Sequence, residues 1–405
     1  MRLLHGKIST RILYLFTFVS ISSLLSLAFL TRPRSKYDGP PPPFQRPTGT
    51  NSLKGIDPLL YNSGPPSGRL WYPQERALAN ATLLALVRNS EADAMVQSML
   101  DLERIFNLKF NYPWTFLNNV PFDEEFKRKT RAATKAEISY ELIPPEHWAV
   151  PSHIDPQVLN ASMHRLEDLG VQYSTALSYH QMCRYNSGMF PFHPALLKYK
   201  YYWRVEPNVH FYCDLPYDPF HFLADRDLIY GFVIALYDAP ASVASLWPEV
   251  LRFLASYTPG KAPLINPNAA VGFLTDSHYR PLHTLNASGY STCHFWSNFE
   301  IGDMDFFRSP LYQAYFRHLD QSGGFFYERW GDAPVHSIAL SLFADKKGIH
   351  WFRDIAYEHI PYFNCPRVDS SGAEGRCQAG RFTNGDKTLE EEDCRANWFH
   401  YAGIG

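Results

Sequence analysis

The chain has 405 residues, 45% of them apolar, and a formal charge of −2. That length supports one large domain, or two interlocked halves, with a substantial core rather than a minimal module. Near neutrality, with no dense Lys/Arg block in the body of the chain, gives no electrostatic reason to bind nucleic acid, and no such partner is expected.

Residues 1–11 carry Arg2, Lys7 and Arg11 and lead into an uncharged stretch from Ile12 to Leu30. It is close to the shortest helix that crosses a bilayer, and it reads as a transmembrane signal anchor. A cleaved signal peptide is the alternative, but the stretch exceeds a usual h-region and no clear cleavage site follows. Arg32, Arg34 and Lys36 flank its other side, so charge alone does not orient it. Residues 31–70 are rich in Pro, Gly, Ser and Asn, include Pro40 to Pro43, and read as an extended stem. The folded domain is expected over 71–405. Asn80, Asn160 and Asn286 each open an Asn-x-Ser/Thr acceptor, which matters only if that domain is lumenal.

Ala81 to Val87 is a short apolar run ending at Arg88-Asn89-Ser90, the pattern of a buried parallel strand. A helix capped by Ser90 should follow, with Glu91 and Asp93 in its first turn and Met95, Met99, Leu102 and Phe106 on one face. Trp114 to Leu117 is a second apolar strand, completing a strand, helix, strand unit of the α/β kind. No G-x-G-x-x-G or P-loop pattern occurs, which excludes those dinucleotide and NTPase signatures and leaves sugar nucleotides open.

Tyr199 to Arg204 is an aromatic strand followed by Val205, Glu206 and Pro207. Proline ends pairing, so Glu206 should sit where the strand leaves the sheet, at the end where open α/β sheets bind ligands. A simple surface pair with Arg204 is the alternative. Glu300 closes the aromatic stretch from Cys293, a setting that suits an acid or base or a carboxylate held near a sugar face. Asp303-Met304-Asp305 is a literal D-x-D, yet beside Phe306-Phe307 it reads more simply as the opening of a helix. His336 and His359 lie in aromatic surroundings and can serve as metal ligands or as structural histidines. The six cysteines lack C-x-x-C spacing, and at least one of Cys365, Cys377 and Cys394 must bond elsewhere or stay free.

Three of these segments, 202–209 (Tyr-Trp-Arg-Val-Glu-Pro-Asn-Val), 293–300 (Cys-His-Phe-Trp-Ser-Asn-Phe-Glu) and 325–336 (Phe-Phe-Tyr-Glu-Arg-Trp-Gly-Asp-Ala-Pro-Val-His), resemble signatures of glycosyltransferase family 15, the fungal α-1,2-mannosyltransferases. Residues 86–89, 179–184 and 359–366 extend the resemblance over about 76 to 366. It implies a GT-A-like α/β fold whose mixed sheet has a Rossmann-like nucleotide-binding half, behind one transmembrane helix. It also implies a type II Golgi membrane protein that uses GDP-mannose and Mn2+ and retains anomeric configuration on a mannosylated glycoprotein or mannoside acceptor. By the same resemblance, Glu206 and His359 would hold the metal, Glu300 would be the nucleophile or charge stabiliser, and Tyr179 would stand beside donor and acceptor. Arg88 is a candidate for the nucleotide by its position after the first strand, and Arg204 for the donor phosphates. Another mannosyl linkage, mannosylphosphate transfer, or an inactive glycan-binding protein are the alternatives.

Overall fold

The computed structural model describes residues 76–258, 263–275, 287–364 and 393–402. The tail over 1–11, the anchor over 12–30, the stem over 31–70, Asn286, Cys365 and Cys377 lie outside the described residues. Among the described residues, no helix is long and apolar enough to cross a membrane.

The strands in chain order are β1 Ala81–Leu86, β2 Trp114–Asn118, β3 Ile138–Leu142, β4 Tyr201–Arg204, β5 Val209–Phe211 and β6 Tyr230–Phe232. They continue as β7 Ala235–Tyr237, β8 Cys293–Phe295, β9 Glu300–Asp303, β10 Ile349–Trp351, β11 Tyr357–His359 and β12 Tyr362–Asn364. Seven form one sheet in the order β10-β6-β9-β4-β1-β2-β3. β3, β2, β1 and β4 run parallel, as do β6 and β10, and β9 alone is antiparallel to its neighbours. Strand order reverses between β1 and β4, so their carboxyl ends frame the crevice where such sheets take ligands. A three-stranded sheet, β12-β11-β5, stands beside it.

Both faces of the large sheet are covered, which is why β1 and β2 read as continuous apolar runs. Alternation splits their side chains between two cores: Leu83, Ala85 and Trp203 pack into one, and Leu84 and Tyr202 into the other. The helices needed below are α1 Ala92–Leu102, α2 Pro156–Asp168, α3 Leu177–Gly188, α4 Met304–Arg308, α5 Pro310–Ser322 and α6 Asp332–Phe343.

The helix expected after β1 begins later than the sequence suggests. Asn89–Glu91 makes a 3-10 turn, and the Glu91 carboxylate turns back to accept from the Arg88 N–H at 2.9 Å. Regular α1 therefore starts at Ala92, not after a Ser90 cap. Met95, Met99 and Leu102 are buried as their spacing predicts, while Phe106 is buried from a π-helical continuation over Glu103–Asn107.

Cys394 pairs with Cys293 across 101 residues, tying the C-terminal helix to the start of β8. Cys213 is also disulfide-bonded, and Cys183 is free and buried.

Candidate active site

Arg204 ends β4, and Glu300 begins β9 directly opposite it in the antiparallel ladder. Because side chains alternate, Tyr202, Arg204 and Glu300, together with Tyr230 opposite Gly302, project from the same face of the sheet. Helix α6 covers that face. Its Asp332 and His336, at i and i+4, lie one turn apart on one side of the helix. Asp332 meets Arg204 (Nη1 to Oδ2, 2.5 Å), and His336 meets Glu300 (Nδ1 to Oε2, 3.1 Å). At the first position of α6, the Asp332 carboxylate also benefits from the positive end of the helix dipole.

Two residues beyond Arg204, Glu206 stands in the turn to β5. Pro207 breaks the ladder, and Asn208 takes a left-handed conformation (φ 62°) that asparagine tolerates better than most residues. Arg204 donates to Glu206 Oε1 at 2.5 Å, so the pairing offered as the simpler alternative is present. It does not exhaust the carboxylate. Glu206 Oε2 faces His359 Nε2 at 3.9 Å, across from β11, whose His359 is in register with Val209. Trp296 packs edge-on against the His359 ring with centroids 4.7 Å apart.

Arg204 is thus surrounded by Glu206, Asp332 and, at 3.8 Å, Glu300. Burial disfavours its charge, but these carboxylates reverse that and hold its pKa well above the ordinary guanidinium value. Burial likewise pushes the Asp332 carboxyl up, yet Arg204 leads the groups that outweigh it and keep it below the usual carboxylate value. The Ser297 hydroxyl donates to the same Asp332 oxygen at 2.7 Å. One guanidinium against three carboxylates leaves an excess of negative charge, which suits a divalent cation.

Glu206 and His359 also fit such an ion geometrically. Two adjacent ligands about 2.1 Å from an octahedral ion lie about 3.0 Å apart, so the pair, 3.9 Å apart, would share one after closing by about 1 Å. Among the described residues, no group of three or more His, Cys, Asp or Glu forms a metal cage. A two-residue site would therefore need its remaining ligands from elsewhere.

Tyr179, on α3, is half-buried and stacks on the exposed Tyr173 with centroids 4.8 Å apart. The Arg329 guanidinium lies over its ring at 5.5 Å and pairs with Asp238 at 3.4 Å. Burial and neighbouring Cys183 push the Tyr179 hydroxyl well above the ordinary tyrosine range, against the pull of Arg329, so it is a neutral hydrogen-bonding group.

The other expected positions divide. Arg88 sits at the carboxyl end of β1, on the ligand-binding edge, but is exposed and turned to Glu91 at 3.8 Å. Arg204, expected at donor phosphates, is engaged by protein carboxylates. Asp303 caps α4 by accepting from the Asp305 N–H at 2.9 Å, and Lys200 bridges both aspartates. The D-x-D is the helix opening that its neighbours suggested, at the far end of β9 from Glu300. Asn80 is exposed with its amide donating to the Lys198 carbonyl, and Asn160 is exposed on α2. Sequence reasoning missed Asp332, Tyr230 and Arg329. A Gly-Asp helix start offered a signal for Asp332, whereas nothing local marks Tyr230.

A family profile described as glycolipid 2-alpha-mannosyltransferase matches residues 67–403. A probable mannosyltransferase of Saccharomyces cerevisiae, KTR4, is 42% identical over 86% of this chain and 73% of its own length. The O-glycoside alpha-1,2-mannosyltransferase omh1 of Schizosaccharomyces pombe is 40% identical over 78% of each chain. Among solved structures, core-mannan synthase A of Aspergillus fumigatus in its Mn/GDP form is 52% identical over 86% of this chain and 94% of its own, with a TM-score of 0.77. The S. cerevisiae mannosyltransferase Ktr4p in complex with GDP is 39% identical over 90% and 93%, with a TM-score of 0.79. With the family profile spanning the whole described domain, this chain belongs to the glycolipid 2-alpha-mannosyltransferase family of glycosyltransferases.

Proposed function

We propose that the protein is a retaining α-1,2-mannosyltransferase that moves mannose from GDP-mannose to a mannoside or mannosylated glycoprotein. The observation that carries this is the placement of Glu206, His359 and Glu300 around Arg204 at the strand-order reversal. Its relatives' names and the Mn/GDP and GDP forms of two of them support the donor and the ion.

In this reading Glu206 and His359 hold Mn2+, which, when bound, neutralises the charge building on the departing diphosphate. Arg204 keeps Glu206 aimed, because its guanidinium fixes Oε1 while Oε2 is turned toward His359. Glu300 stabilises positive charge at the anomeric carbon, whether by a covalent mannosyl intermediate or by supporting an ion pair attacked from the front. Tyr179 orients a sugar hydroxyl, and Arg88 meets the nucleotide at the crevice mouth.

The address we propose is the Golgi membrane, with 12–30 as a type II anchor and the catalytic domain lumenal, acting in cell-wall mannoprotein glycosylation. The Cys293–Cys394 disulfide supports an oxidising compartment, and glycan on Asn80, Asn160 or Asn286 would agree with it. The test is full-length protein incubated with GDP-mannose, Mn2+ and an α-mannoside. GDP release with an α-1,2-linked product is expected; acceptor binding without GDP release would point to a lectin, and another linkage would correct the regiochemistry.

A further inference from the structure

The hydrogen bonds around Glu300 are lopsided. Its Oε2 accepts from the Tyr230 hydroxyl at 3.0 Å and faces His336 Nδ1 at 3.1 Å. Its Oε1 accepts no hydrogen bond among the described residues: the Arg204 guanidinium stands 3.8 Å away, and the Tyr202 hydroxyl, also beside the carboxylate, makes no hydrogen bond. The other His336 nitrogen, Nε2, faces the Asn186 carbonyl at 2.9 Å. Asn186 lies in the last turn of α3, where carbonyls have no partner within the helix and carry the negative end of its dipole.

A carbonyl only accepts, so Nε2 must carry a proton. Nδ1 then has two options toward Glu300: it donates to a carboxylate, making His336 an imidazolium, or it accepts from a protonated Glu300. A carboxylate opposite a neutral imidazole would set two lone pairs against each other at one end of the ring. The ring is fully buried, with Phe307 and Phe190 around it, so no solvent relieves that contact.

We propose that His336 is a positioning residue that, with Tyr230, anchors Glu300 through Oε2 alone and shares one proton with it, leaving Oε1 as the oxygen presented to the sugar. This rests on the reading of Glu300 as the catalytic carboxylate. In the imidazolium form the buried pair is neutral overall, so Glu300 keeps a usable lone pair on Oε1 without an unpaired buried charge. The charged and titratable groups facing the pair are Arg204 and Tyr202 from β4, Tyr230 from β6, Tyr312 from α5 and Asp332 from α6. Burial first, and then the Glu300 charge, push the Tyr202 and Tyr230 hydroxyls well above the ordinary tyrosine range, so they stay neutral and the shared proton belongs to His336 and Glu300.

The test compares His336→Phe, His336→Gln and Glu300→Gln in the full-length protein, measuring kcat and KM for GDP-mannose and the affinity for GDP with Mn2+. For His336→Phe, kcat should fall roughly 10²-fold, the cost of a misplaced catalytic group. KM and GDP affinity should stay within about twofold, since the lost interaction serves only the transition state. His336→Gln, which keeps one donor toward Oε2, should recover part of the loss. Wild-type kcat in both variants would overturn the proposal. So would parallel losses of kcat and GDP affinity with no advantage for Gln, the mark of a purely structural ring. Near-normal turnover in Glu300→Gln would instead remove the reading on which the proposal rests.

Discussion

Replacing Asp332 tests the electrostatic design of the site most directly. Asp332 and Arg204 are both under a tenth exposed and meet at 2.5 Å. At an effective dielectric near 20, their attraction is about 6 to 7 kcal/mol, and desolvation of both groups offsets part of it. Removing one partner of such a buried pair costs about 3 to 5 kcal/mol. Glu206 and Glu300 still compensate Arg204 in Asp332→Asn, so the lower end, about 3 kcal/mol, is expected. Loss of the Ser297 bond in Asp332→Ala adds about 1 kcal/mol. For a domain this large, Asp332→Asn should lower Tm by about 6 °C in calorimetry at pH 7. The pH dependence has a definite sign. The folded Asp332 pKa is depressed, so its contribution is present above the unfolded value of 3.8 and is lost as pH falls through the folded value. The gap between wild type and Asp332→Asn should therefore be flat from neutral pH down to about 5 and close only below the unfolded value. A Tm drop under about 2 °C at pH 7, or a gap that closes well above that value, would refute the account of Arg204 as held by this carboxylate.

Glu206→Ala or His359→Ala should raise the Mn2+ concentration needed for half-maximal activity, and an unchanged metal titration would remove that residue from the site. His350, buried on β10, has its pKa lowered to about 3 by burial and by Arg226. The unfolded chain therefore takes up a proton below about 6.5 that the folded one refuses, and stability should fall with pH at about 1.4 kcal/mol per unit between these values. His350→Leu should flatten that slope in pH-dependent denaturation. A methyl on Gly302 would lie 2.8 Å from the Tyr202 ring, so Gly302→Ala should destabilise by about 1 to 3 kcal/mol in urea titration.

How much of this was legible in the chain follows from the range of the interactions. β1, β2 and the burial of Met95, Met99 and Leu102 came from local apolar pattern, which the doubly covered sheet enforces. The start of α1 did not, because Glu91 turns back to the Arg88 N–H and a 3-10 turn over Asn89–Glu91 precedes the regular helix. Pro207 marked the place where Glu206 leaves the sheet, and the aromatic neighbours of Asp303 correctly suggested a helix opening. What sequence hid was partnership. Glu300 reaches Arg204 only through the antiparallel register of β9, and Tyr230 reaches Glu300 only because β6 pairs with the same strand. His336 was visible as a histidine among aromatics, but its choice of a carboxylate and a carbonyl over a metal depends on where α6 packs.

That one reversed strand also separates what is free to vary from what is not. Because Arg204 and Glu300 face each other through backbone ladder bonds, their spacing does not depend on the long connection between β7 and β8. A change in the length of that connection would leave the carboxylate opposite Arg204. A single residue inserted within β9 would do the opposite: it would turn Glu300 to the other face of the sheet, into the core around Trp203, and leave Arg204 without it.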